Sequence, residues 1–392
     1  MADHRKIARV VFLFLACGAT AFPAREAAGS WEFAGWHGGG AYPAVVPDPK
    51  VRGRVYLLSD VAGLWRSDDR GDYWESKTKG LRNLHCSSLA AFPADTDILY
   101  IGTPAGIHQS VDGGASWRAL DSTQDKIRSR RRDSYRSLVV DPDDPDKVYA
   151  GTLSGEVYFT ADGGKTWSPL GARSPLFGSD APVRAVYLTR DKAHLFAASN
   201  NGLRRYDFSG TWAGAGPGKS PVFDMTAHGP TETIYVTDGK RVSWTRDLGA
   251  TWRSSSGLPL SNGKILRIAV AGGAAGDVRL LAGWGDGWRG GAFLSADGGT
   301  TWIDISKNLH HDTAGNPTRA WKKGFTRPLS VAFDAFNPGT LYLSDLWGVW
   351  RSDDSGRTWH EKIKGAAMTF SPDGNELYVA RYAGSVYKAR LR

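Results

Sequence analysis

Cysteine is scarce in this chain of 392 residues, which contains only Cys17 and Cys86. A disulfide framework is therefore excluded as the main source of stability, and the fold has to rest on a hydrophobic core. Cys86 has no partners at metal-ligand spacing, so we expect it to be a small, buried core residue.

Long apolar runs and cofactor fingerprints are also missing. After the first thirty residues, no stretch approaches the roughly 18 apolar residues of a membrane-spanning helix. No Gly-rich nucleotide motif follows a strand and opens a helix, so no cofactor is indicated. His310-His311-Asp312 is a poor tetrahedral set without a third ligand at useful spacing, and we therefore expect no metal.

The first 29 residues predict a signal peptide. Arg5, Lys6 and Arg9 precede the apolar run 10–16, and small residues at 19–24 supply candidate cleavage sites. A short N-terminal helix is the alternative, and a lipobox-like sequence ending at Cys17 leaves a lipid anchor open. We expect a secreted or periplasmic protein, or a lipoprotein, whose remaining domain covers residues 30–392 and is a monomer.

Positive charge exceeds negative charge along the chain. The formal net charge is +9 and the pI is about 9.4. A basic exported protein favours anionic partners such as acidic glycans, lipid headgroups or cell-wall polymers. Nucleic acid is not expected as a partner outside the cell.

One octapeptide, Ser/Thr-x-Asp-x-Gly-x-Thr-Trp, recurs along the chain. Its copies are 67–74, 110–117, 160–167, 245–252, 295–302 and 352–359, with a decayed copy, one residue shorter, at 206–212. We expect a hairpin corner in which the Asp carboxylate accepts N–H groups one and two residues further on. Gly supplies positive φ, and the Trp packs against the next sheet.

Short apolar strands surround each octapeptide. Four strands in each ~45-residue unit predict an all-β fold, a single β-propeller of four-stranded antiparallel blades. Eight blades fit the chain better than the alternative of seven. The last unit has only three strands, so we expect Ser30-Trp31-Glu32-Phe33 to complete it and close the ring.

These repeats resemble those of the Asp-box (BNR) β-propellers, which include sialidases, xyloglucan-active glycoside hydrolases, sortilin-type receptors and photosystem assembly factors. The resemblance covers nearly everything after residue 30 and implies the fold. It is less informative about function, because the corners that carry it are structural in those families too. Sialidase activity is not expected, since no Tyr-Glu nucleophile pair is evident.

The stretch 38–66 resembles the opening of the xyloglucan-active hydrolases, with a Gly-rich run, Pro49-Lys50 and the turn Asp60-Val61-Ala62-Gly63. The resemblance implies that Asp60 is one of two catalytic carboxylates, although Ala62 stands where Gly is usual. Members of that group carry their carboxylates on two propellers, whereas this chain has length for one. Asp345 and Asp286 occupy related corners and are the further catalytic candidates. The alternative is that each Asp only caps its turn.

Aromatic and basic residues near the rim are candidates for substrate binding. Exposed indoles stack on sugar faces, with packing between blades as the alternative, and guanidinium groups suit carboxylates, sulfates or phosphates. The candidates are Trp284, Trp288, Arg289, Trp347, Trp321, Arg136, Arg184 and Arg267.

The sequence therefore indicates an exported, polysaccharide-active protein. Its substrate is expected to be a glycan, neutral or anionic, that it contacts at the loop-bearing rim. Glycoside hydrolysis related to that of the xyloglucan-active enzymes is the leading hypothesis. A non-catalytic propeller that binds glycan or protein, of the receptor or assembly-factor type, is the alternative.

Overall fold

A computed structural model describes residues 31–37, 42, 44–120, 137–171, 176–177, 181–229, 232–256, 258–260, 263–272, 277–286, 289–309, 325–345, 348–363, 367–371, 373–380 and 385–391. All regular structure in these ranges is β, and they contain no helix long and apolar enough to cross a membrane.

Within the described residues, thirty-two strands form eight four-stranded antiparallel sheets, each of which is one blade. In blades one to four the strands follow chain order. They are β2 (Ala44–Pro47), β3 (Val55–Leu58), β4 (Leu64–Ser67) and β5 (Glu75–Ser76); β6 (Ser88–Phe92), β7 (Asp95–Thr103), β8 (Gly106–Ser110) and β9 (Arg118–Ala119); β10 (Leu138–Asp141), β11 (Asp144–Gly151), β12 (Val157–Thr160) and β13 (Ser168–Pro169); β14 (Val183–Leu188), β15 (Leu195–Ser199), β16 (Gly202–Tyr206) and β17 (Trp212–Gly214).

Blades five to seven repeat this order, and the prediction of eight blades is confirmed over the alternative of seven. Their strands are β18 (Asp224–His228), β19 (Thr233–Thr237), β20 (Val242–Thr245) and β21 (Arg253–Ser254); β22 (Lys264–Ala271), β23 (Arg279–Gly285), β24 (Gly290–Ser295) and β25 (Ile303–Asp304); β26 (Ser330–Phe333), β27 (Leu341–Ser344), β28 (Val349–Ser352) and β29 (His360–Ile363).

Blade eight joins the two ends of the chain. It contains β30 (Ala367–Phe370), β31 (Glu376–Ala380), β32 (Ser385–Arg390) and, as its outer strand, β1 (Glu32–His37). Glu32 pairs with Lys388 and Phe33 with Tyr387. The predicted closure by an N-terminal strand is confirmed, and Ser30, at the start of the predicted strand, lies outside the described residues.

The hydrophobic core is divided into eight clusters, and each cluster lies between two neighbouring blades. Tyr42, Val45 and Leu57 of blade one, for example, pack against Tyr378 and Val386 of blade eight, which closes the ring. Successive residues of a strand point to opposite faces of its sheet, and both faces are buried against another blade. Apolar residues therefore occur on both faces. Cys86 is fully buried in the cluster between blades one and two, as predicted.

The octapeptides form the corners between the third and fourth strands. In blade two, Ser110 Oγ donates to Asp112 Oδ1 at 2.7 Å and accepts the Gly114 N–H at 2.8 Å. Asp112 accepts the Ser116 N–H on Oδ1 at 2.9 Å and the Ser116 hydroxyl on Oδ2 at 2.6 Å. Gly114 has a φ of 86°, as expected. The prediction that the Asp carboxylate accepts N–H groups one and two residues further on is wrong for this corner. The carboxylate instead accepts the N–H and hydroxyl of the residue four positions further on.

The same bonds recur at Asp162, Asp247, Asp297 and Asp354. The decayed copy differs, since Asp207 accepts the N–H and hydroxyl of Ser209, only two residues on. Most corner indoles also donate to a carbonyl of the preceding blade: Trp117 to Lys77, Trp252 to Ala215, and Trp359 to Ile305. Each corner thus shapes its own blade, and these indoles also tie it to the neighbouring one.

The corner carboxylates make the fold sensitive to acid. Hydrogen bonds lower the pKa of Asp162 to about 2. The largest contribution comes from the Thr166 hydroxyl, followed by the Thr166 amide and the Thr160 hydroxyl. Because the folded pKa lies below the unfolded value of ~3.9, this stabilisation is present above pH ~4 and is lost as the pH falls through 2. We expect wild type to be more stable than Asp162→Asn at pH 5, with a gap that closes towards pH 2 in urea unfolding curves. A gap independent of pH would contradict this.

Turns between second and third strands share one rim with the chain entering the next blade. The N–H groups of Cys86, Val183, Val222 and Ile265 donate to Ser59, Thr152, Ser199 and Gly239, which lie in those turns of the preceding blades. The turns between second and third strands and the connections between blades therefore emerge on one rim. We call this side the turn rim, and the side with the octapeptides the corner face.

Candidate functional site

The turn that contains Asp60 joins β3 to β4 on the turn rim. Ser59, rather than Asp60, caps this turn: the Ser59 hydroxyl accepts the N–H groups of Val61 and Ala62 at 3.3 and 3.0 Å. Ser59 N–H also donates to the Gly63 carbonyl at 3.0 Å. Asp60 is half-buried. The Ser59 hydroxyl is thus a cap of this turn.

Aromatic and apolar side chains surround Asp60. Burial, and then the nearby Asp60 charge, raise the pKa of Tyr42, so its phenol stays protonated at neutral pH. Val61 and Leu84 are 58% and 44% exposed. Gly63 N–H donates to the Leu84 carbonyl at 2.8 Å, which places the connection to blade two beside the turn. Asp60 thus lies next to an exposed apolar lip formed by Val61 and Leu84.

Asp345 occupies the same position in blade seven, but its surroundings are different. It is 0% exposed. Its Oδ1 accepts the Gly348 N–H at 3.0 Å, and its Oδ2 accepts the amide and the hydroxyl of Thr326 at 3.0 and 2.9 Å. This arrangement closes the turn and attaches it to the chain that enters blade seven.

Asp286 lies in the corresponding turn of blade six. It is exposed, its Oδ1 accepts the Arg289 N–H at 2.7 Å, and its own N–H donates to the Arg289 carbonyl at 2.9 Å. Arg289 is exposed on the same turn. Asp286 therefore caps its turn as the alternative interpretation expected, although its position leaves it accessible to solvent.

The structure does not bring these three carboxylates together in one turn or one blade. They lie in blades one, six and seven, and only Asp60 leaves the capping of its turn to another residue. Both carboxylates that cap a turn are hydrogen-bonded to the glycine or arginine that ends it. Asp60 differs from the other two in that a neighbouring serine hydroxyl caps its turn.

Trp284, a substrate-binding candidate, lies within β23. It pairs with Ile265 and Gly291 on its two sides, is half-buried, and stacks on Phe293 with ring centroids 6.3 Å apart. It also packs against the cluster between blades five and six. Packing between blades therefore describes Trp284 better than a sugar platform does.

Arg184 and Arg267 lie near the rim ends of β14 and β22, and both are half-buried. Arg184 Cζ lies 5.7 Å from the ring centroid of Phe223. Arg267 donates from Nε to the Leu329 carbonyl at 2.9 Å and from Nη1 to the Leu266 carbonyl at 2.8 Å. Trp288, Trp347, Trp321, Arg136, His310, His311 and Asp312 lie outside the described residues.

The sequence arguments missed Ser59 as the turn cap and missed Phe223 and Lys264 beside Arg184. A Ser-Asp pair precedes both the Asp60 and the Asp345 turn, so sequence offers no local signal for which residue is the cap. Among the described residues, no group of three His, Cys, Asp or Glu side chains is arranged to hold a metal ion.

Comparison with known proteins agrees with this fold. The chain is 27% identical over 390 residues to a xyloglucanase of Hypocrea jecorina (strain QM6a), which covers 90% of this chain but 42% of that protein. The chain therefore spans well under half the length of this relative. No family model matches the sequence.

Solved structures give the same architecture at lower identity. A GH74 xyloglucanase from Xanthomonas campestris matches with a TM-score of 0.55 and 16% identity, over 93% of this chain and 74% of that one. YCF48 bound to D1 peptide matches with a TM-score of 0.55 and 15% identity, over 95% and 100% of the two chains. The chain is thus an eight-bladed β-propeller similar to xyloglucanases, and at these identities the solved structures support the fold alone.

Proposed function

We propose that this propeller binds a xyloglucan-type polysaccharide across its turn rim and hydrolyses it, with Asp60 as one of the reacting carboxyl groups. The observation that carries the proposal is the contrast between two equivalent turns. Ser59 caps the first and leaves Asp60 half-buried at the surface, whereas Asp345 itself caps the second and is fully buried. Similarity to a xyloglucanase over 90% of the chain supports the choice of substrate.

Glycoside hydrolysis uses two carboxyl groups, one that protonates the leaving oxygen and one that activates water or attacks the sugar. In this proposal Asp60 supplies the first or the second of these groups. Asp286 is the other candidate on the turn rim with solvent access. Asp345, with both oxygens engaged, is a positioning residue that fixes the chain entering blade seven.

The surroundings of Asp60 suit a sugar ligand. Val61 and Leu84 supply exposed apolar surface of the kind that contacts a pyranose face. Export, expected from the first 29 residues, would bring the protein to an extracellular polysaccharide and is part of the proposal.

Binding without turnover is the second candidate function. It is favoured by the placement of Asp286 and Asp345, each of which caps a turn of its own blade. The rim would then hold a glycan as a receptor-type surface. The same polysaccharides would bind, but no reducing ends would appear.

A panel of soluble glycans tests the proposal. We expect xyloglucan to be retarded by the protein in affinity gels and to release reducing ends on incubation, with mixed-linkage glucan and xylan as comparison substrates. Binding of xyloglucan without release of reducing ends would favour the non-catalytic alternative. If no β-glucan is bound and none releases reducing ends, the proposed function is contradicted.

A further inference from the structure

At the turn rim the side chains of Arg184 and Lys264 meet the Phe223 ring, and Arg267 lies on the same strand as Lys264. Arg184 lies at the start of β14, Phe223 immediately precedes β18, and Lys264 and Arg267 belong to the first half of β22. The rim position follows from the bonds that tie these strand starts to the turns of the preceding blades, through the N–H groups of Val183, Val222 and Ile265. We call this set the Phe223 cluster.

Two cations flank the Phe223 ring. Arg184 Cζ lies 5.7 Å and Lys264 Nζ 5.1 Å from the ring centroid. Each contact is favourable by itself, since a cation is attracted to an aromatic face. Two like charges around one ring repel each other, however, and an anion bound beside them would relieve that repulsion.

Arg267 is held in place on the same strand as Lys264. Its Nε and Nη1 donate to the carbonyls of Leu329 and Leu266, so its guanidinium is oriented by the backbone. Within the described part of the chain, neither Lys264 nor Arg267 forms an ion pair with a carboxylate. Asp224, next to Phe223, accepts the N–H groups of Met225 and Ile268 and is 9% exposed.

We infer that the Phe223 cluster binds the carboxylate of an acidic glycan, namely a uronic acid on the polysaccharide held at the turn rim. Guanidinium and ammonium groups form charge-assisted hydrogen bonds with carboxylates, and orientation before binding lowers the entropy cost. The inference rests on the proposed function and extends its substrate class from neutral glucans to glucans that carry carboxylates. The net charge of +9 adds long-range attraction for such a chain.

The test compares two forms of one polysaccharide, because this isolates the carboxylate. Neutral xyloglucan and xyloglucan oxidised at its primary hydroxyls, which carries uronic acids, are titrated into the full chain by calorimetry. We expect the oxidised form to bind at least about tenfold more tightly, and Lys264→Gln and Arg267→Gln each to remove most of that preference. Lys165 is an exposed lysine on the corner face and provides the control. Lys165→Gln removes the same charge, and we expect this variant to keep the preference for the oxidised form.

Equal affinity for the two forms would overturn the inference while leaving the proposed function standing. A preference that Lys165→Gln reduces as much as Lys264→Gln would also overturn it, since only net charge would then matter. If neither form of xyloglucan binds, the proposed function and the inference are both overturned. A urea unfolding midpoint equal to that of the wild type shows that both Gln variants remain folded.

Discussion

Asp60→Asn is expected to lower the release of reducing ends from xyloglucan by about 10²- to 10⁴-fold, the range over which positioned acid–base groups act. The variant keeps the size of the side chain and removes only its ability to carry a proton or a negative charge. The Ser59 hydroxyl caps this turn, and asparagine at position 60 keeps an oxygen that can accept hydrogen bonds. We therefore expect the loss in kcat, with the urea unfolding midpoint unchanged.

Asp143→Asn is a matched control. Asp143 is an exposed carboxylate in blade three whose side chain is 72% exposed and pairs with Lys192. Exposed ion pairs contribute little to stability, about 0–1 kcal/mol, and this one is remote from the turn rim. A wild-type kcat in Asp60→Asn would show that Asp60 does not take part in the reaction. Equal losses of kcat in the two variants would indicate a general effect of charge.

Asp345→Ala is expected to destabilise the propeller by about 3 kcal/mol or more. The substitution leaves the Gly348 N–H and the amide and hydroxyl of Thr326 without their acceptor at a site that is fully buried. Each unsatisfied buried polar group costs about 1–3 kcal/mol. The free energy of unfolding from urea curves, followed by tryptophan fluorescence, measures the loss.

Asp286→Ala is the matched variant for this comparison, because Asp286 caps the equivalent turn of blade six but is exposed. Water can replace the carboxylate there, so we expect a loss of about 1 kcal/mol or less. Similar losses for the two variants would show that the burial of Asp345 does not determine its contribution.

Much of this fold could be predicted from sequence because its signals are local and repeated. The octapeptide copies locate one edge of the blades, and the unmatched last unit indicates closure by an N-terminal strand, which β1 provides. The corner bonds were predicted less well. A turn argument considers the nearest amides, whereas Asp112 bonds to Ser116 because the Ser110 hydroxyl already holds Gly114.

The candidate site was less predictable, because its residues are distinguished by contacts that are distant in sequence. Asp60 and Asp345 follow the same Ser in similar turns, and their difference depends on Thr326, which lies 19 residues before Asp345. Trp284 was a substrate-binding candidate, but β23 and β24 pair as far as Gly285 and Gly290 and place it inside the sheet. Lys264 joins Arg184 only because Phe223 lies between them.

The most direct test of the account is a structure of Asp60→Asn with a bound xyloglucan oligosaccharide. The account predicts that the sugar crosses the turn rim beside Val61 and Leu84, with the side chain of residue 60 within hydrogen-bonding reach, about 2.6–3.2 Å, of the glycosidic oxygen or of the water that attacks it. An oligosaccharide bound on the corner face, or on the turn rim out of reach of residue 60, would contradict it.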